Sequence, residues 1–193
     1  MATFKVHVIH VGPMDNKGTQ ALLLSDISVI KDIVKGNVVF SVSTADINGL
    51  KRLNLTLDAV LPPMLDIPYQ KADSLAKKFG FDRDSLKYKA FALACLFFML
   101  IKALSSIASV ILIKNRFNGF YRAGVIKKVK ECDLVVSYSD ENFKEGASLL
   151  PLNFFWVVSW WSMLISRTWE ILVAKSFNKP VVMFPNSVGP FRT

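Results

Sequence analysis

The sequence predicts an α/β fold, a mostly parallel sheet with helices covering both faces. Three observations lead there. Segments rich in β-branched residues recur at 4–11, 38–42, 59–61, 134–137 and 181–184. Stretches with helical periodicity separate them. Alternation of strand and helix is the pattern of parallel strands joined by crossovers.

The elements follow in order. Phe4 to Val11 forms a first strand, and Gly12 to Gly18 a loop. A helix runs from about Thr19 to Lys35, with Leu23, Ile27, Ile30 and Val34 along one face. Thr19 is suited to cap it, and Gly36 to take the left-handed position past its end. A second strand, a short helix near 47–53 and a third strand come next, and Pro62 and Pro63 stop that strand. The mixed, charged stretch from Pro68 to Lys89 reads as surface helix and loop. Leu134 to Ser137 and Val181 to Phe184 are the last two strands.

Composition narrows the function classes. Hydrophobic residues reach 52%, enough for a sizeable core, and the excess gathers near 90–113 and 149–174. A net charge of +9 suits phosphorylated substrates or anionic lipid as well as plain solubility. Nucleic acid is not expected, because the aromatics sit in apolar runs rather than among basic residues. Cys95 and Cys132 belong to no ligand spacing or CxxC pair, and Cys95 reads as a buried structural thiol. No His, Cys, Asp and Glu cluster has metal-ligand spacing. The first ten residues read as a strand rather than a leader, which places the chain in the cytoplasm.

Ligands of open parallel sheets bind beyond the carboxyl ends of the strands, so three loops carry the candidate site. In the first, residues 12 to 21, Asn16, Gly18, Thr19 and Gln20 open a helix whose amides favour an anion, and Lys17 adds charge. It is neither a Walker loop nor a GxGxxG turn, and a plain capped turn fits equally well. In the second, Asp140, Glu141 and Asn142 are suited to hold sugar hydroxyls or to accept a proton. In the third, Asn186 and Ser187 precede the turn at Gly189 and Pro190. Solvated turns are the competing explanation for both. His7 reads as structural, while His10 lies nearer the ligand end of its strand.

Three ordered segments resemble the polysaccharide pyruvyl transferase family. Asn16-Lys17-Gly18-Thr19-Gln20-Ala21-Leu22 is similar to its early Asn-x-Gly motif. Cys132-Asp133-Leu134-Val135-Val136-Ser137 with the acidic turn is similar to its next strand, although Tyr138 and Ser139 stand where the family tends to have glycines. Lys179 to Val182 with Asn186-Ser187-Val188-Gly189-Pro190-Phe191 resembles its strand and Ser-x-Gly-Pro-Phe turn, the most specific of the three.

The resemblance implies a Rossmann-like domain over residues 1–193, like the N-terminal domain of a two-domain GT-B-type transferase, with the C-terminal domain absent. The implied reaction moves a pyruvyl group from phosphoenolpyruvate to sugar hydroxyls during surface polysaccharide assembly. A general acid protonates the enol carbon, a sugar oxygen attacks the cationic carbon, and phosphate leaves as the ketal forms. The substrate-binding set would be Asn16, Gly18, Thr19, Gln20, Asp140, Asn142, Asn186, Ser187 and Gly189. No residue can be assigned a catalytic role from the sequence, no metal or cofactor is implied, and phosphoenolpyruvate is the donor. The partners implied are a saccharide or lipid-linked glycan and an anionic membrane surface, at the inner face of the cell membrane. Rival readings are a glycosyltransferase using a nucleotide-sugar, or a non-catalytic glycan- or membrane-binding domain.

The run from Phe91 to Ile113 is long enough to cross a bilayer, but Lys102 sits near its centre and basic residues flank it. A helix in the interface of an anionic membrane, a core helix and a span all remain open. The second apolar run carries Trp156, Trp160 and Trp161 together with Arg167 and Glu170. It suits a membrane interface or a helix packed on the sheet.

Overall fold

A computed structural model describes residues 3–65, 77–80, 85–115, 123–138 and 154–184, with side chains described except at 123 and 154–163. The described strands are β1 (Phe4–Val11), β2 (Val38–Thr44), β3 (Ala59–Leu61), β4 (Leu134–Ser137) and β5 (Val181–Met183). They form one sheet in the order β3-β2-β1-β4-β5, and every pairing is parallel. The helices are α1 (Lys17–Val34), α2 (Ile47–Arg52), α3 (Leu86–Lys114), α4 (Ala123–Glu131) and α5 (Phe154–Ser176).

The chain winds outward from β1 through β2 to β3, then returns to build β4 and β5 on the other side. The winding reverses between β1 and β4, and in open parallel sheets ligands bind in the crevice beyond the carboxyl ends of the strands at such a reversal.

Period-two alternation divides β1 between two cores. Val6 and Val8 face α1 and pack with Leu23, Ile27, Phe40, Val42 and Tyr138. Ile9 faces the other way and packs with Val110 of α3, Val125 and Ile126 of α4, Val135, and Val173 of α5. Burial on both faces explains why the strands read as continuous apolar runs.

Three local expectations are corrected. Asn16, not Thr19, caps α1, its side chain accepting from Gly18 N at 2.8 Å, and Thr19 is buried in the first turn. The left-handed residue after α1 is Lys35, with φ 47°, because the helix ends one residue early and Gly36 falls beyond the cap. Cys95 is only half-buried, whereas Cys132 is buried and donates its thiol to Val129 O at 3.1 Å. Burial drives that thiol up to about 11, so it stays protonated.

Candidate functional site

The crevice begins with an irregularity in β1. His10 lies inside the strand with φ 67°, and the register with β2 slips between Val8 and Val11. A left-handed backbone costs a non-glycine residue about 1–2 kcal/mol and persists only where its surroundings hold it. A bulge lets two successive residues face the same way. Ile9 and His10 both turn toward α5, and Val11 returns to the α1 core.

Contacts with β4 and α5 help hold His10 in place. Its Nδ1 shares a hydrogen bond of 3.0 Å with Ser137 Oγ at the end of β4. Its carbonyl accepts from Arg167 Nη1 of α5 at 3.1 Å. Burial, reinforced by the Arg167 charge, lowers the imidazole to about 3, so it is neutral at physiological pH. Arg167 is half-buried and stands beside His10, near the carboxyl end of β1.

One helical turn further, Glu170 is fully buried. Its Oε1 accepts from Met64 N at 2.6 Å, which ties α5 to the turn after β3. Its Oε2 has no hydrogen-bond partner among the described residues. Burial pushes the carboxyl up to about 7, although the Met64 amide and the Arg167 charge oppose the rise. Ser166 Oγ reinforces the same tie by donating to Leu65 O at 2.8 Å.

The opposite wall is the start of α1. Asn16 and Gly18 are exposed there, and Gln20 is half-buried with Nε2 donating to Met14 O at 2.5 Å. Asp46 holds this loop from β2: its carboxylate accepts from Met14 N and Gly49 N, both at 2.9 Å. Those amides, Met14 first, keep its pKa below the ordinary carboxylate value. A Cβ at Gly49 would collide with the Asp46 carboxyl group and force it to shift. Tyr138 fills the space between β4 and α1, its hydroxyl donating to Thr19 O at 2.8 Å.

Asn16, Gly18, Thr19 and Gln20 therefore stand together at the start of α1, with Thr19 buried. Asp140, Asn142, Asn186, Ser187 and Gly189 lie outside the described residues. His7 is bonded to Ser41 Oγ at 2.8 Å and Ser43 Oγ at 3.1 Å, and burial lowers it to about 4. Sequence reasoning missed Arg167 and Glu170 as site residues. Two charges three positions apart on a helix otherwise rich in Trp, Leu and Ile were the available signal, since charges are seldom buried without partners.

Among the described residues no group of three or more His, Cys, Asp or Glu side chains is placed to hold a metal. A groove of about 220 Å3 lined by Lys31, Phe40, Asn54 and Leu57 lies near the amino ends of β2 and β3, away from the crevice. Chemically, the crevice offers a helix start and a guanidinium for an anion, with a neutral imidazole and a serine behind them. Comparison with known protein families, curated proteins and solved structures finds no match for this chain.

Proposed function

We propose that the chain is the N-terminal, Rossmann-like domain of a polysaccharide pyruvyl transferase-like enzyme of GT-B build, and that the crevice between β1 and β4 binds its substrates. The observation that carries this reading is the convergence on one end of the sheet. The Asn16–Gln20 segment that resembles the family's first motif stands on one side of the switch point, and His10, Ser137 and Arg167 on the other. In this reading the α1 start and Arg167 attract the anionic donor, and the polar loops contact the saccharide acceptor.

The test is ligand-detected NMR on the full chain with phosphoenolpyruvate, a nucleotide-sugar and an oligosaccharide in turn. Pyruvyl ketal formation is followed in parallel on the product of the whole reading frame. Saturation transfer to phosphoenolpyruvate and saccharide, weakened in Arg167→Ala, together with ketal formation, supports the proposal. Transfer to the nucleotide-sugar alone assigns the domain to a glycosyltransferase. Saccharide binding without turnover by the whole frame assigns it to a glycan-binding protein.

A further inference from the structure

Helix α3 is built inside out. Its buried side carries the small or polar Ala92, Ala103, Ser106 and Ser109 between larger residues such as Tyr88 and Met99. Its outer side carries Leu93, Phe97, Phe98, Leu100, Leu104 and Ile111, each 46% to 68% exposed. At about 3.6 residues per turn, Leu93, Phe97, Leu104 and Ile111 lie on one line along the helix. A helix facing water normally places charged residues there. Between Ala90 and Ile113 the single charged residue is Lys102. A contiguous apolar surface of this kind marks an interaction site.

Charge identifies what covers it. The helix contains no acidic residue. Lys87 and Lys89 stand in its first turn, where cations oppose the helix dipole, and Lys114 ends it. Lys89 is exposed at the start of the helix, gains nothing from the dipole, and suits an external anionic surface. A second protein helix would require a narrow apolar seam with charged flanks. Here Ala94, Phe98 and Ile101 widen the apolar surface well beyond such a seam.

The inner side decides orientation. Val110 and Ile113 share a core with Ile9 of β1 and Val135 of β4, and Met99 and Ala103 pack on Leu65. A helix fused to the sheet in this way cannot cross a bilayer without drawing buried His10 and Glu170 into hydrocarbon. We propose that the outer face of α3 docks this protein onto an anionic lipid bilayer, with the helix lying in the interfacial plane. The inference stands independently of the pyruvyl transfer reading.

The test is co-sedimentation of the full chain with vesicles of phosphatidylcholine alone or mixed with phosphatidylglycerol. Binding to the mixed vesicles is expected, weakening about fivefold for Lys87→Gln and again for Lys89→Gln. The exposed double variant Phe97→Glu/Leu104→Glu loses binding while its circular dichroism and melting curve are retained. Alkaline carbonate releases the bound protein. Equal or absent binding to the two vesicle types overturns the proposal, as does retention after carbonate. A concentration-dependent dimer abolished by Phe97→Glu/Leu104→Glu, without vesicle binding, assigns the face to a second copy and also overturns it.

Discussion

The Tyr138 hydroxyl donates to the carbonyl oxygen of Thr19 at 2.8 Å, and both residues are buried. This bond ties the end of β4 to the first turn of α1 across the point where the winding reverses. Replacing Tyr138 with Phe removes one buried hydrogen bond and lowers stability by about 1 kcal/mol, measured by urea denaturation. Tyr138→Ala also empties a core position and costs about 3–5 kcal/mol.

Asp46 organises the first loop through two backbone amides. Asp46→Ala leaves Met14 N and Gly49 N without that acceptor and costs about 1–2 kcal/mol, while Asp46→Asn retains part of the effect. The folded pKa of Asp46 is depressed, so its stabilisation is present above the unfolded pKa and is lost as pH falls through the folded value. Comparing the acid limbs of wild type and Asp46→Asn checks the sign.

The buried histidines and Glu170 act in opposite directions on stability. His7 and His10 fall to about 4 and about 3 from an ordinary 6.5, so between those values the unfolded chain binds more protons and stability rises with pH. Glu170 rises to about 7 from 4.5, so over that window the folded chain binds more protons and stability falls with pH. Near pH 5.5 two protons oppose one, so the combined contribution of these three groups rises with pH. Glu170→Gln removes the opposing proton and steepens that rise. Urea denaturation across pH 5–6 measures both; an unchanged slope in the variant would refute the assignment.

Arg167 joins α5 to the His10 carbonyl and brings positive charge to the crevice. Arg167→Ala is expected to weaken phosphoenolpyruvate or inorganic phosphate binding about tenfold or more, since charge-assisted hydrogen bonds contribute about 1.5–3 kcal/mol. Arg167→Lys retains the charge but loses the planar fork, and recovers only part of the affinity. Calorimetric titration separates the two variants. Melting temperatures measured without ligand show how much of the change is structural.

Element types were legible because the physics behind them is local. Val6, Val8 and Ile9 sit in a β-branched run, and Leu23, Ile27 and Ile30 recur at helical spacing, so both periods could be read directly. The α1 cap was placed three residues late because Asn16 and Thr19 are both competent caps, and the choice between them depends on the loop that Asp46 holds from β2. The Asn16–Gln20 part of the candidate site was visible as a loop between strand and helix. Arg167 and His10 were not joined to it, because their meeting depends on a bulge and on the packing of α5.

By itself, the sequence determined the alternation of strand and helix, the five apolar strands, and the unusual hydrophobicity of the run through α3. These follow from side-chain type and spacing along the chain. Only the tertiary structure decided that β4 returns beside β1, that His10 turns to meet Ser137 and Arg167, and that the larger side chains of α3 face outward. Each of those is a contact between residues far apart in sequence, set by which surfaces exclude water together, and no local period encodes it.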